Sequence, residues 1–538
     1  MKVVIIGAGA AGASCAARLR RLREDIEILI LEKTNEISIA SCGLPYYISD
    51  VIDSRENMFV SSAQKFKNWF NIDVEFNCEV TEIHRDKKFI KLKNEKTINY
   101  DKLVLALGAQ PALINFENSK NSPLFSLRTL ADADKIKEFI KNNNCKTALV
   151  IGGGFIGIEM AENLQKMNLK VTLIEAKNQI LSQVDEEIAL LAKNKMQDNN
   201  IEIILNDLIE KYENNTVFLK SKKQIKADII VSASGIIPSV EIAKKAGLEV
   251  DFGIKTNEFM QTNDPDIFAA GDSVETKDFI FGKNTLIPLA GPANRQGRIV
   301  ADNICGYNST YKNTQAASVI KIFDLTIANV GKNEKQLIKD NIPFWKTYIF
   351  SPSHASYYPN AKPTLYKLLF NNEGKIFGAQ AAGFEGVEKR IDTISTIIRN
   401  HGTVQEMLDC ELCYAPSYSS AKDAVNILGM CADNIMKGLI KPAYYEDLKT
   451  SYLIDVRSFE VYKKETIENA HNIPVFELRK RLNEVPKNQK VVLFCNSGYT
   501  SYVASRILAS FGYNNVYSLS GGIELYKIIV NSKVMAKK

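Results

Sequence analysis

Two cysteines in this chain stand where a thiol can react. Cys42 lies in "SIASCGLPYY" (38–47), between small residues and a turn, with no second cysteine close enough to pair with it. Cys495 lies in "VVLFCNSGYT" (491–500), which reads as an apolar strand, a loop and the start of an apolar helix. That order places the sulfur at the mouth of a ring of backbone N–H groups ahead of a helix N-terminus, a setting that lowers a thiol pKa and holds an anionic sulfur. The pair Cys410 and Cys413 in "DCELCY" has C-x-x-C spacing, but no second pair or nearby histidine completes a four-ligand zinc set, so no metal is expected. The four histidines, His84, His354, His401 and His471, are too few and too scattered for chemistry that needs an imidazole cluster.

Such thiols need a frame, and glycine-rich turns supply one. Residues 2–33 read as strand, glycine turn, helix, strand, with Gly7, Gly9 and Gly12 in G-x-G-x-x-G spacing and Glu32 ending the second strand. The first glycines permit a tight turn and close backbone approach, the third lets helix and sheet pack, and the helix N-terminus faces a pyrophosphate. Glu32 is placed to hold a ribose. The pattern recurs over 147–175 with Gly152, Gly154, Gly157 and Glu175, so two dinucleotides are expected. A carboxylate at Glu175 bonds a ribose 2′-hydroxyl and repels a 2′-phosphate, which favours NADH over NADPH; Lys177 softens the preference.

The 538 residues suggest three or four domains, and no apolar run reaches the ~18 residues that would span a bilayer, so no membrane partner is expected. The opening "MKVVIIGAGAAGASCAA" has the letters of a signal peptide, but Arg18, Arg20, Arg21 and Arg23 follow in helical spacing and fit a nucleotide-binding helix better. Net charge is +6 and spread along the chain, with no Lys/Arg block interleaved with aromatics, so no nucleic acid is expected. Nine cysteines at irregular spacing suit reduced thiols in a cytoplasmic protein.

With these motifs the chain resembles the flavin-dependent pyridine nucleotide-disulfide oxidoreductases, in which the first site takes FAD and the second NAD(P)H. "YDKLVLALGAQP" (100–111) resembles the strand and turn that return to the flavin domain, and "NDPDIFAAGDSVE" (263–275) the segment whose aspartate, here Asp272, holds the ribityl chain. "IPLAGPANRQGRIVADNI" (287–304) resembles the helix that approaches the flavin ring. The resemblance further implies cofactor contacts at Lys33, Val80, Ala106, Gly108, Arg128, Gly271, Ala290, Phe155, Glu159 and Gly235. It implies an α/β chain with FAD-binding parts at 1–112 and 246–310, an NAD(P)H domain at 113–245 and an α+β dimerisation domain at 311–436, working as a homodimer.

Tyr47 stands five residues after Cys42, where the two-cysteine branch has its second thiol. The chain therefore resembles the single-cysteine branch: coenzyme A disulfide reductase, per- or polysulfide reductase, NADH oxidase and NADH peroxidase. Oxidases and peroxidases usually carry a histidine where Ala10 stands. "SIASCGLPYY" is similar to the coenzyme A disulfide reductase motif S-F-x-N-C-G-L-P-Y-Y, with Ile39 and Ser41 as departures. The resemblance then implies that a Cys42 thiolate beside the flavin attacks a small external disulfide or persulfide, with substrate contacts at Ser38, Ser41, Arg18 and Arg21. Coenzyme A enters as substrate or bound thiol. "SHASYYPNAKP" (353–363) and "CYAPSYSSAKD" (413–423) resemble segments that supply tyrosines across the dimer interface; Tyr357 and Tyr414 are favoured, with Tyr358 and Tyr418 as competitors.

After a linker at 437–448, residues 449–538 resemble an α/β rhodanese domain through the "LIDVR" start and the C-x-x-G-x-[RT] loop ending at Thr500, although Thr466 stands where the common motif has histidine. A fused sulfurtransferase shifts the expected substrate towards sulfane sulfur. The alternatives are an NADH oxidase or peroxidase, and a non-catalytic flavin redox sensor in which Cys42 and Cys495 act as switches.

Overall fold

A computed structural model describes residues 1–535, which divide into two compact units. One comprises residues 1–178 and 200–314, the other residues 179–199 and the described residues from 315 onwards.

Two parallel five-stranded sheets organise the first unit. In one, the order is Ile267–Ala269, Lys102–Leu105, Lys2–Ile6, Glu27–Leu31, Asp73–Glu75; in the other it is Glu202–Leu205, Lys170–Glu175, Thr147–Ile151, Ile229–Ser232, Leu124–Ser126. Runs such as "KVVII" and "EILIL" are apolar almost throughout because strands of a parallel sheet are covered on both faces. Ile267–Ala269 pairs with Lys102–Leu105, so the chain leaves the first sheet, builds the second and returns. The returning helix Ala290–Ile304 lies against the first helix, Ala10–Leu22. Contact there is so close that a Cβ on Gly297 would fall 2.2 Å from the Ala11 carbonyl oxygen. Only glycine fits.

The second unit also holds two sheets. An antiparallel one runs Ser318–Ile322, Leu325–Gly331, Ile376–Gly383, Pro363–Phe370, Trp345–Pro352, with the amphipathic helix Val387–Arg399 supporting it. A parallel one runs Pro442–Ala443, Val516–Leu519, Val491–Phe494, Tyr452–Asp455, His471–Asn472. The two are joined where the Tyr348 amide donates to Ser520 Oγ at 2.9 Å and the Tyr444 hydroxyl donates to the Lys346 carbonyl at 2.7 Å.

Helix Glu186–Asp198 falls inside the stretch the sequence assigns to nucleotide binding, yet it folds with this second unit. The cause is a buried ion cluster. The ammonium of fully buried Lys367 lies 2.7 Å from Asp185 and 2.5 Å from Glu187, and also pairs with Glu334. Asp185, Glu187 and Glu334 bring their oxygens close enough to hold a cation, and Lys367 supplies one. A buried charge set of this kind is worth little against apolar packing, but removing one member strands the rest. No helix among the described residues is long and apolar enough to cross a membrane.

Candidate active site

The two glycine turns repeat one local design. Gly7 and Gly152 adopt φ of 100° and 105°, and a Cβ on either would fall 2.2 and 2.4 Å from the carbonyl oxygens of Ala106 and Ala233. A Cβ on Gly12 or Gly157 would fall 2.0 or 1.9 Å from the carbonyl of Gly7 or Gly152, so helix and turn touch backbone to backbone. At Gly9 and Gly154, by contrast, an added Cβ meets nothing within 4 Å, which leaves each helix N-terminus open to a phosphate. Glu32 accepts from the Ala8 amide at 2.9 Å and the Thr34 amide at 3.0 Å; Glu175 accepts from Gly153 at 2.7 Å and Lys177 at 2.9 Å. Each carboxylate is thus fixed at the lip of its turn, and the residues present fit two dinucleotides. Among the other expected contacts, Lys33 and Gly235 are exposed, Val80 opens the strand Val80–His84, and Phe155 and Ala290 open their helices.

Cys42 is fastened to the first of these turns. It sits in the short turn Ser41–Gly43, and the Ser38 amide donates to the Ala8 carbonyl at 3.1 Å while the Ser38 carbonyl accepts from Val60 at 2.9 Å. Ser38 takes a positive φ of 52° to do this. Its thiol is exposed, yet surrounding packing desolvates the thiolate and Glu159 repels it, so the pKa is raised; Ser41 and Arg128 oppose the shift. Asp272 adds a smaller repulsion and lies 3.4 Å from Arg128. Four of the expected residues, Cys42, Arg128, Glu159 and Asp272, therefore share one electrostatic neighbourhood.

Glu159 is itself unusual. Burial pushes its carboxyl up to about 7, with nearby Glu162 adding to the shift and a hydrogen bond donated by Tyr46 at 3.2 Å opposing it. In the sequence, Tyr46 is marked only by its place four residues after Cys42. The two arginines that the resemblance gives as substrate contacts differ in setting. Arg18 donates to Asp302 at 2.8 Å, and Arg21 lies exposed over the Phe70 ring.

In the second unit, the loops 353–362 and 413–423 meet. The Ala355 amide donates to the Pro416 carbonyl at 3.2 Å, and the hydroxyls of exposed Tyr357 and Tyr414 are 2.5 Å apart. Their hydrogen bond raises the Tyr414 pKa. Tyr358 instead packs edge-on against buried His354, and Tyr418 is exposed. Half-buried Cys410 donates to the Met407 carbonyl, while Cys413 is exposed.

Cys495 directly follows the strand Val491–Phe494 and is buried. The Gly498 amide donates to its sulfur at 3.2 Å, and Ser501 Oγ lies 3.7 Å away at the start of helix Tyr499–Ser510. Below the loop, Asp455 receives the Arg457 guanidinium and the Thr466 hydroxyl, and Arg457 reaches Asn496 at 3.0 Å. Thr466, where the common motif has histidine, thus donates to the buried Asp455 carboxylate at 2.9 Å. Arg457 and Asn496 carry no isolated sequence signal beyond the "LIDVR" start.

A pair of dinucleotide-binding folds with a thiol held at the first turn defines a nucleotide-dependent redox protein, to which a second sulfur site is appended. Residues 1–297 match the pyridine nucleotide-disulphide oxidoreductase model, 317–425 the dimerisation domain of that family, and 441–528 the rhodanese-like domain. The chain belongs to the pyridine nucleotide-disulphide oxidoreductase family, whose members use FAD and NAD(P)H. It is 34% identical over 450 residues to a protein of Methanocaldococcus jannaschii named NADH oxidase, covering 82% of this chain and 99% of that one. With the coenzyme A disulfide reductase of Staphylococcus aureus (strain JH9) it shares 33% identity over 437 residues, 80% of this chain and 99% of the relative. The crystal structure of reduced Bacillus anthracis CoADR-RHD matches at 43% identity and a TM-score of 0.97, covering 99% of this chain and 98% of that one. An NAD-dependent persulfide reductase from A. fulgidus matches at 34% identity and a TM-score of 0.92, covering 98% and 100%.

Proposed function

We propose that this chain is an FAD-dependent oxidoreductase that uses NAD(P)H, with NADH favoured, to reduce coenzyme A disulfide, coenzyme A persulfide or polysulfide through Cys42. Its rhodanese-like domain then handles sulfane sulfur at Cys495. The observation that carries the reading is the exposed thiol Cys42 fastened to the first glycine turn with no second cysteine in its segment. The partner sulfur must come with the substrate. Likeness to proteins named coenzyme A disulfide reductase and NAD-dependent persulfide reductase supports the substrate class.

Gly7, Gly9, Gly12 and Glu32 would hold FAD, with Asp272 and Arg128 towards Cys42; Gly152, Gly154, Gly157 and Glu175 would hold NAD(P)H. FAD, when bound there, would supply two-electron redox chemistry between NAD(P)H and the substrate sulfur. The chain's own residues do the rest. Cys42, as thiolate, attacks one sulfur of the disulfide; a Cys42–S bond forms, the S–S bond breaks and a coenzyme A thiolate leaves. In a homodimer, Tyr357 and Tyr414 contributed by the partner subunit donate to that thiolate, which is a poor leaving group unless it is stabilised. Over one cycle, NADH, a proton and the disulfide become NAD⁺ and two thiols.

NADH oxidation measured with coenzyme A disulfide, coenzyme A persulfide and polysulfide in turn, against oxygen or peroxide alone, tests the reading. Turnover is expected to require a sulfur substrate. Turnover with oxygen alone at the rate of the best sulfur substrate would favour the oxidase reading, the name carried by the Methanocaldococcus jannaschii relative, even though Ala10 leaves no imidazole at the glycine turn.

A further inference from the structure

Arg390 lies in the second turn of helix Val387–Arg399 and is almost completely buried. Its guanidinium spends its donors on both tyrosine-bearing loops. Nη2 donates to the Ser353 carbonyl at 3.0 Å, at the root of the loop that carries Tyr357. The same nitrogen reaches the Tyr418 carbonyl at 3.5 Å and Asp423 at 3.0 Å, at the far end of the loop that carries Tyr414. Nε also faces Asp423, whose carboxylate caps the next helix by accepting from the Val425 amide at 3.1 Å. Nη1 donates to the Gly386 carbonyl at 3.0 Å, and Gly386 is held open for it: φ is 64°, and a Cβ there would fall 2.3 Å from Nη1.

These contacts fix a planar, permanently charged fork between two loops that are far apart in sequence. A buried guanidinium needs every one of its donors satisfied, and here the partners are the backbone of one loop and the backbone and cap of the other. The Tyr357 and Tyr414 hydroxyls, 2.5 Å apart, sit on the free ends of those loops. We propose that Arg390 is the positioning residue of the tyrosine pair: it touches neither phenol, and it sets the register in which they meet. The inference rests on the role given to the two tyrosines above, and it adds a residue that no local motif marks.

Arg390→Met, Arg390→Lys and Gly386→Ala, made in the full-length holoenzyme, test it; the last displaces the guanidinium without deleting it. Reduction of the bound flavin by NADH should stay within twofold of the parent in all three. Disulfide turnover should fall about 10- to 100-fold in Arg390→Met, the scale on which small misplacements act, and recover in part with lysine. The deciding measurement repeats Arg390→Met in a Tyr357→Phe/Tyr414→Phe background, where the further loss should be less than twofold. An equal loss in both backgrounds would show general damage and overturn the proposal. If Tyr357→Phe/Tyr414→Phe alone keeps full turnover, the role of the tyrosines fails instead. Register is then read separately from oxidative dityrosine coupling of Tyr357 to Tyr414 under a one-electron oxidant, identified by mass spectrometry of the linked peptides. The link should form with Arg390 present and at least tenfold more slowly with Arg390→Met; equal rates would overturn the proposal there too.

Discussion

Cys42 and Cys495 carry the same atom in opposite settings. Cys42 is exposed on a three-residue turn, and its surroundings raise its pKa. Cys495 is buried, with an amide aimed at its sulfur at 3.2 Å and a hydroxyl 3.7 Å away. An open thiol suits attack on a bulky partner that brings its own second sulfur. A buried thiol that already accepts from a backbone amide suits a small sulfur species better than a bulky one. The contrast matches the roles proposed above: bond exchange at Cys42 and sulfur transfer at Cys495.

The largest test separates the two. Cys42→Ser should retain FAD, lose disulfide reduction by at least ~100-fold, and still load sulfur at Cys495. Cys495→Ser should do the reverse. Steady-state NADH oxidation and mass spectrometry of the loaded cysteine read the two outcomes, and matched losses in both assays from either variant would break the contrast.

A smaller effect is expected from the backbone beneath Cys495. Gly522 has φ of 60°, and an added Cβ would fall 2.4 Å from the Asn496 carbonyl and 2.6 Å from that of Cys495. Gly522→Ala should destabilise the rhodanese-like domain by about 1–3 kcal/mol and slow sulfur transfer while leaving disulfide reduction intact. Urea unfolding alongside both assays checks it.

The mildest test acts on Cys42. Above pH 7 Glu159 is ionised and repels the thiolate, so Glu159→Gln should lower the Cys42 pKa and speed its alkylation a few-fold, with Cys495 unaffected. The same carboxyl has a stability signature. Its folded pKa of about 7 is above the ordinary 4.5, so the folded state keeps a proton the unfolded chain has lost. That contribution is complete below pH 4.5 and disappears as pH rises through 7, by about 3 kcal/mol at most. Denaturation at pH 5 and pH 8 should show a steeper fall for the parent than for Glu159→Gln.

Much of this arrangement was legible in the sequence because backbone geometry demanded particular residues. Gly7, Gly12, Gly152 and Gly157 are places where a methyl cannot fit, so the turns announce themselves. The setting of Cys495 between a strand and a helix was legible in its apolar run and glycine loop. Arg390 was not, because one arginine on an amphipathic helix looks like surface until its partners, 33 residues on at Asp423 and 37 residues back at Ser353, are brought to it. The departure of helix Glu186–Asp198 from the nucleotide-binding stretch was hidden for the same reason: an acid cluster and its lysine share no local pattern. The bond from Arg18 to Asp302 is likewise invisible in the sequence, because 284 residues separate the two.

The Lys367 cluster has a consequence for how the protein is made. Glu187 leaves the ribosome 180 residues before Lys367, a delay on the order of ten to forty seconds at typical elongation rates. Throughout that interval Asp185 and Glu187 wait in water, and the part of the chain that will enclose them does not yet exist. The second unit therefore closes late in synthesis, around a segment made early. A version begun at residue 315 would inherit the lysine without two of its three carboxylates, and so would carry a buried cation that the intact chain never has to accommodate.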